Sequence, residues 1–195
     1  MRITGGSLKG RRVSVSGGII RPSMDRMRES VFAALGDISG LSFLDLFSGT
    51  GIIALEAVSR GAFPVEAVEM DNLKRKTLLS NVSLSPVRIR CRFMPAELYV
   101  RRAKKSFHLI FCDPPFSYRF KWELVRNIAA SPLVSNETRL LIHRPGEDFH
   151  DAVDFLVKEE TRKYGRSAVD FFRGMKSGKE DHGPEEDEVK NTIFP

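Results

Sequence analysis

Cysteine is scarce in this chain, and long apolar runs are absent from it. The 195 residues include two cysteines, Cys91 and Cys112, each within an apolar stretch that predicts a buried free thiol. We therefore expect neither a disulfide framework nor a bound metal. No apolar run approaches the roughly 20 residues that a membrane-spanning helix needs, and the N-terminal residues do not resemble an export signal. These absences favour a folded, cytoplasmic protein with no membrane partner.

Charge is unevenly distributed along the chain. The formal net charge is +6, yet residues 174–195 contain three lysines and six acids, whereas residues 1–36 contain seven Lys or Arg and two acids. A basic end on a basic domain is typical of proteins that hold phosphates, although a merely solvated basic surface has the same composition. The acidic end has almost no apolar residues, which predicts a disordered tail over residues 174–195.

Alternating apolar strands and helices dominate the middle of the chain. Strands are predicted over residues 42–46, 65–69, 87–93, 107–112 and 139–143, with helices near residues 52–60, 73–84, 96–104 and 122–130. Such alternation indicates right-handed βαβ units, and hence a mostly parallel sheet with helices on both faces. Residues 153–172 have the pattern of two strands hinged at Tyr164-Gly165, a terminal hairpin that completes a seven-stranded sheet.

The N-terminal residues have a different pattern. Residues 2–15 alternate around Gly5-Gly6-Ser7, which predicts a basic β-hairpin. Ser23 is the predicted N-cap of a helix that ends at Gly36. We therefore divide the chain into a hairpin extension over residues 1–22, an α/β domain over residues 23–173 and the tail over residues 174–195.

A glycine loop follows the first predicted strand. Residues 45–51 are Asp-Leu-Phe-Ser-Gly-Thr-Gly, so the strand turns sharply into a helix where a ligand can approach the backbone. Gly49-Thr50-Gly51 with Ala54 also satisfies a G-x-G-x-x-A pattern, which keeps a nicotinamide or flavin dinucleotide as an alternative. Asp45 favours a different cofactor, because a carboxylate there can receive an ammonium group or brace the loop. Glu69 ends the second strand, where it can accept hydrogen bonds from ribose hydroxyls.

Asp113-Pro114-Pro115-Phe116 directly follows the fourth predicted strand and is the most specific motif of the chain. Each proline fixes its own φ and restricts the residue before it, so the loop is stiff. The Asp113 carboxylate and the Pro114 carbonyl then form a rigid pair of acceptors, which can hold the N–H groups of an exocyclic base amine and turn its lone pair toward a methyl donor. Phe116 offers a flat face for base stacking, worth about 1–3 kcal/mol. In isolation such a segment is more often a structural turn; beside the glycine loop it predicts methyl transfer to a nucleic-acid base.

These motifs, together with the N-terminal residues, resemble the bacterial small-subunit rRNA guanine-N2 methyltransferases of the RsmD type. The resemblance spans about residues 2–173. Besides the glycine loop, Glu69 and the tetrapeptide, it includes Arg2-Ile3-Thr4-Gly5-Gly6, Lys9-Gly10-Arg11, Arg21-Pro22-Ser23, Asp25-Arg26, Arg28-Glu29, Asn81 and Tyr164-Gly165. It implies a Rossmann-like class I methyltransferase fold without a metal, with S-adenosylmethionine as cofactor and S-adenosylhomocysteine as product. The chain departs from the family at Met94-Pro95-Ala96, where the family has an acidic or amide residue before the alanine.

The predicted site residues form three groups. The catalytic group is Asp113, Pro114 and Phe116. The cofactor group is Asp45, Phe47, Ser48, Gly49, Thr50, Gly51, Glu69, Met70 and Ala96, to which the resemblance adds Ser23 and Arg26. The RNA-binding group is Arg2, Lys9, Arg11, Arg12, Arg21, Arg28, Arg119 and Lys121.

The predicted substrate is a guanine N2 amine in small-subunit ribosomal RNA, either as RNA or within an assembled particle, and the predicted enzyme is a monomer. Two alternatives remain open from the residues alone. One is methylation of adenine N6 in DNA or RNA, because Asp113-Pro114-Pro115-Phe116 suits that amine equally well. The other is a non-catalytic RNA-binding or ribosome assembly factor with the same fold.

Overall fold

The computed structural model describes residues 1–15, 22–148 and 152–176. Its strands are β1 (Phe43–Leu46), β2 (Val65–Glu69), β3 (Ile89–Phe93), β4 (Leu109–Cys112), β5 (Arg139–Pro145), β6 (Leu156–Tyr164) and β7 (Ser167–Gly174). Within the described residues they form one sheet in the order β3-β2-β1-β4-β5-β7-β6. The neighbours among β1 to β5 pair in parallel, and β7 is antiparallel to both β5 and β6. The predicted seven-stranded, mostly parallel α/β fold is therefore confirmed.

Helices cover both faces of this sheet. In the described residues they are α1 (Pro22–Leu35), α2 (Ile52–Ser59), α3 (Arg75–Val82), α4 (Ala96–Arg101) and α5 (Lys121–Ala130), with a single 3-10 turn at Asn72–Lys74. Because successive strand side chains point to opposite faces, Phe43 joins the hydrophobic cluster that contains α1 and α2 residues. The next residue, Leu44, joins the cluster formed with α4 and α5.

Helix α1 begins at Pro22, so the prediction that Ser23 is its N-cap is wrong. Proline suits the first turn of a helix because its φ is already fixed near the helical value and it has no N–H that needs a partner. The buried face of α1 includes Phe32, whose ring stacks on Phe43 with 6.0 Å between centroids. The helix stops before Gly36, which has a φ of 74° and supplies the left-handed conformation common after a helix end.

The first fifteen residues turn back on themselves and pack on α2, without forming two regular strands. A single antiparallel bridge joins Arg2 and Arg12, so the predicted β-hairpin is not seen as a strand pair. The Leu8 N–H instead donates to the Ser59 hydroxyl at 2.8 Å. A Cβ on Gly6 would lie 1.7 Å from the Ser59 carbonyl oxygen, so only glycine permits this approach. Backbone hydrogen bonds still join the two arms of the segment, from the Ile3 N–H to the Arg11 carbonyl at 3.0 Å and from the Val13 N–H to the Met1 carbonyl at 2.9 Å. The segment is therefore a short hairpin with one bridge, and its turn packs on α2.

The acidic C-terminal end lies mostly outside the described residues. β7 extends to Gly174, and the Met175 N–H donates to the Phe155 carbonyl at 2.8 Å. The predicted disorder of the remaining tail stays a prediction.

Candidate active site

The register of three strands places Phe47, Asp113 and His143 side by side. β1, β4 and β5 are adjacent and parallel, and these residues occupy the positions that follow the paired residues Leu46, Cys112 and Ile142. The Asp113 N–H also donates to the Leu46 carbonyl at 3.2 Å. All three residues thus lie at the carboxyl edge of the sheet, where parallel α/β folds bind their ligands.

Asp45 braces the glycine loop from inside the core. Its Oδ2 accepts hydrogen bonds from the Ser48 hydroxyl at 2.6 Å and from the Ala54 N–H at 3.2 Å. Its Oδ1 is buried and has no hydrogen-bond partner among the described residues. Burial raises the pKa of Asp45 to about 7, and the neighbouring Asp113 and Glu69 carboxylates add to the rise. The partnerless oxygen can therefore accept one further hydrogen bond.

Left-handed backbone shapes the glycine loop. The φ angles of Phe47, Gly49 and Gly51 are 62°, 57° and 79°. Positive φ is uncommon for a residue with a Cβ, and such strained residues cluster at functional sites. A Cβ on Gly51 would also lie 2.6 Å from the Leu78 side chain. Both the backbone conformation and the packing against α3 therefore require glycine at position 51.

Glu69 holds the same loop from the end of β2. Its Oε2 accepts the Gly49 N–H at 2.7 Å, and its Oε1 accepts the Asp71 N–H at 2.8 Å. Each carboxylate oxygen has a further lone pair, and Glu69 lines the neighbouring cavity. It can therefore receive a ligand hydroxyl while it fixes the loop. The sequence predicted that Glu69 receives ligand hydroxyls, but it did not predict that Glu69 fixes the glycine loop.

A cavity of about 910 Å³ opens between these strand ends. Its lining residues are Met24, Phe47, Glu69, Met70, Asp71, Asn72, Lys74, Pro95, Glu97, Asp113, Pro114, Pro115, Phe116, Tyr118 and His143. The volume is within the range of about 300–1,000 Å³ typical of cofactor and small-molecule sites. All three predicted catalytic residues line this cavity, together with Phe47, Glu69 and Met70 of the predicted cofactor group.

Asp113 and His143 form a hydrogen-bonded pair in the cavity wall. The distance from His143 Nδ1 to Asp113 Oδ1 is 2.8 Å, and His143 is only 3% exposed. The other ring nitrogen, Nε2, is buried without a hydrogen-bond partner among the described residues. The His143 ring meets Phe116 edge-on, with 5.3 Å between centroids. His143 is not among the site residues predicted from the sequence; its position at the end of the fifth predicted strand was the signal available.

The other predicted cofactor residues lie behind or beside the cavity. Ser48, Thr50 and the two glycines form the loop, which Asn81 secures by donating to the Thr50 carbonyl at 2.9 Å. The Ala96 side chain packs in the core, whereas its neighbour Pro95 lines the cavity. Ser23 lies in the first turn of α1, and Arg26 is exposed on that helix.

The structure corrects two of the predicted RNA contacts. The exposed members of the group are Arg2, Lys9, Arg11, Arg12 and Arg119. Arg28 is 1% exposed and pairs with Asp25 at 2.7 Å, and Lys121 is 5% exposed and pairs with Asp148. Both cations are used inside the domain, so the prediction that they bind RNA is wrong. Arg21 lies outside the described residues.

The described part of the chain contains no candidate metal site and no candidate membrane-spanning helix. No group of three or more His, Cys, Asp or Glu side chains there could hold a metal ion. None of the helices found there combines the length and the apolar content needed to cross a bilayer.

Comparison with known proteins agrees with this geometry. The family model described as Conserved hypothetical protein 95 matches residues 1–173. Ribosomal RNA small subunit methyltransferase D of Escherichia coli (strain K12) is 30% identical over 152 residues, which cover 76% of each chain. The solved structure of the yhhF protein from Escherichia coli superimposes with a TM-score of 0.81 at 26% identity, covering 90% of this chain and 98% of that chain.

A more distant structure shares the fold. SMU.776, solved in complex with SAH, matches with a TM-score of 0.58 at 17% identity, over 79% of this chain and 50% of that one. This chain therefore belongs to the Conserved hypothetical protein 95 family of RsmD-type methyltransferases and has the class I methyltransferase fold.

Proposed function

We propose that this protein transfers a methyl group from S-adenosylmethionine to the exocyclic N2 amine of a guanine in small-subunit ribosomal RNA and releases S-adenosylhomocysteine. One observation carries the proposal: the Asp113 and Pro114 acceptors line the same cavity as Phe47 and Glu69. Phe47 is part of the glycine loop, and Glu69 accepts the Gly49 N–H of that loop. The ribosomal substrate agrees with the name of the Escherichia coli relative. The choice of guanine N2 follows the family resemblance.

The chain has a suitable group for each part of the cofactor. Glu69 and Asp71 present carboxylates at the end of β2 for the ribose hydroxyls. Met70 and Pro95 offer apolar surface that would hold the adenine by apolar contact. Pro95 stands where the family has an acid or an amide. The partnerless Oδ1 of Asp45, which is buried behind the glycine loop, would be the acceptor for the ammonium group.

The acceptor pair prepares the substrate amine. An exocyclic guanine amine is a poor nucleophile because its lone pair is delocalised into the ring. The Asp113 carboxylate and the Pro114 carbonyl accept its two N–H groups, which directs the lone pair away from the ring system. S-adenosylmethionine, when bound, supplies an electrophilic methyl group on its sulfonium. As the nitrogen–carbon bond forms and the sulfur–carbon bond of the donor breaks, Asp113 would stabilise the positive charge that develops on the nitrogen and then accept the proton that the nitrogen sheds.

His143 orients the Asp113 carboxylate, and Phe116 positions the target base. If the His143 Nδ1–H donates to Oδ1 of Asp113, the other carboxylate oxygen is left for the amine. The stiff proline turn keeps that oxygen and the Pro114 carbonyl at a fixed separation. Phe116 is half-exposed at the cavity mouth, so its ring face can stack on the target base.

Substitution of Asp113 tests the proposal. Asp113→Ala should lower methyl transfer to unmodified small subunits by about 100-fold or more, the loss typical when a group that stabilises developing charge is removed. Its affinity for S-adenosylmethionine, measured by isothermal titration at pH 7.5, where Asp45 is mostly ionised, should match that of the wild-type protein. Asp154→Asn, which changes an exposed acid away from the cavity, is the matched control. Wild-type turnover by Asp113→Ala would refute the role assigned to the acceptor pair.

The same experiments separate the alternatives. Mass spectrometry of the product distinguishes N2-methylguanosine from N6-methyladenosine, because the acceptor pair could serve either amine. A non-catalytic assembly factor with a decayed site would show no binding of S-adenosylmethionine.

A further inference from the structure

A second, smaller cavity adjoins the first one. This outer pocket has a volume of about 290 Å³ and is lined by Glu97, Tyr118, Phe120, Glu123, Leu124 and Asn127. Glu97 and Tyr118 also line the large cavity. A ligand whose reactive part fills the large cavity can therefore reach the outer pocket with an adjoining group.

Phe120 is exposed at this pocket without a local structural reason. It is 62% exposed and occupies the N-cap position of α5, where it makes no side-chain capping bond. Ser, Thr, Asp and Asn are strongly preferred at such positions because their side chains accept helix N–H groups. Neither burial nor helix capping explains a large aromatic ring here, whereas an aromatic surface for a ligand does.

Aromatic contacts connect Phe120 with the large cavity. Tyr118 meets Phe120 edge-on with 6.2 Å between ring centroids, and it lies 5.5 Å from the Phe47 ring. The Tyr118 hydroxyl donates to Glu97. Burial, together with that hydrogen bond, raises the pKa of Tyr118, so the hydroxyl remains a neutral donor. Tyr118 is thus held on three sides and supports the Phe120 ring.

We propose that the outer pocket binds an unpaired nucleobase adjacent to the methylated guanosine, stacked on Phe120. The proposal rests on the proposed function, in which the target base lies beside Phe116 in the large cavity. Proteins recognise single-stranded RNA largely by stacking splayed bases on aromatic side chains, since every base has a π face. Glu123 and Asn127 can hydrogen-bond to the edge of that base, and the exposed Arg119 can meet the adjoining phosphate.

A matched pair of phenylalanine substitutions tests this proposal. Phe63 is 54% exposed, close to the exposure of Phe120, but it precedes β2 at the opposite edge of the sheet. Binding of a fluorescent ten-nucleotide oligocytidine should weaken by about 5- to 150-fold in Phe120→Ala, the range expected when one stacked base loses its aromatic partner. Phe120→Trp should restore binding, and Phe63→Ala should bind as the wild type does.

Two results would overturn the inference. One is equal affinity of Phe120→Ala and Phe63→Ala for the oligocytidine, with both variants folded by circular dichroism. The other is a raised KM of Phe120→Ala for intact small subunits with unchanged oligocytidine affinity, which would show that this surface meets a ribosomal protein. Wild-type protein that transfers no methyl group would refute the proposed function separately, because the oligocytidine measurement requires no turnover.

Discussion

Cofactor affinity should depend on pH through Asp45. Burial raises the pKa of Asp45 to about 7, and the carboxylates of Asp113 and Glu69 oppose its ionisation further. Below that pH the carboxyl group is mostly neutral and cannot pair with the ammonium group of S-adenosylmethionine. We therefore expect binding to strengthen as the pH rises toward 7.5 and Asp45 ionises.

The size of the effect follows from the pKa. With a pKa of about 7, Asp45 is roughly nine-tenths protonated at pH 6 and roughly one-quarter protonated at pH 7.5. If only the ionised protein binds the cofactor, Kd should be about 8-fold larger at pH 6 than at pH 7.5. The same linkage acts on folding. Because the folded-state pKa lies above the usual 3.8, the contribution of Asp45 to stability is fully present below about pH 4 and is lost as the pH rises through about 7.

Isothermal titration with S-adenosylmethionine at both pH values measures this effect. Repeating the titration at pH 6 in two buffers of different ionisation enthalpy should show the release of about 0.9 proton per cofactor bound. Asp45→Asn should bind more weakly and lack the pH dependence, whereas the control Asp154→Asn should follow the wild type. An equal Kd at pH 6 and pH 7.5 in the wild-type protein would refute the role of Asp45.

Three further outcomes are expected. His143→Asn should keep most of the turnover, because its amide can replace the Nδ1 donor. His143→Phe should lower kcat by about 100-fold with an unchanged cofactor Kd, because Asp113 loses the hydrogen bond that orients it. Equal rates for the two variants would contradict this role of His143. Gly51→Ala should lower the free energy of unfolding by about 1–3 kcal/mol in urea denaturation, because of its positive φ and the clash with α3; wild-type stability would be the contrary result. Arg144→Met should lower the free energy of unfolding by about 3–5 kcal/mol, because the buried Asp170 loses both of its hydrogen bonds to that guanidinium. A loss below about 1 kcal/mol would show that the other partners of Asp170 suffice.

The strands, the helices and two of the site motifs could be predicted because their signals are local in the chain. Asp113 follows its strand directly, and the prolines beside it fix the turn. His143 could not be assigned in this way, because its contact with Asp113 spans 30 residues and depends on which strand lies next to β4. The order of the strands is a property of the packed sheet, which one sequence does not state.

Predictions from charge and from alternation failed at residues whose polar groups make contacts inside the folded domain. Arg28 has the sequence context of an exposed helix cation, yet Asp25 and the folded N-terminal segment enclose it. The same segment turns back on itself as its alternation predicts, but its arms share a single β-bridge and Leu8 in its turn donates to Ser59 of α2. Composition gives the number of cations and apolar residues, whereas packing decides which of them reach solvent.

Mass mapping of modified nucleosides in small-subunit ribosomal RNA, from cells with and without this gene, tests the proposed activity most directly. We expect one guanosine to carry an N2-methyl group when the gene is present, to lose it when the gene is removed, and to remain unmodified when the gene is restored as Asp113→Ala. Identical modification maps with and without the gene would contradict the assignment of this cavity to ribosomal RNA methylation.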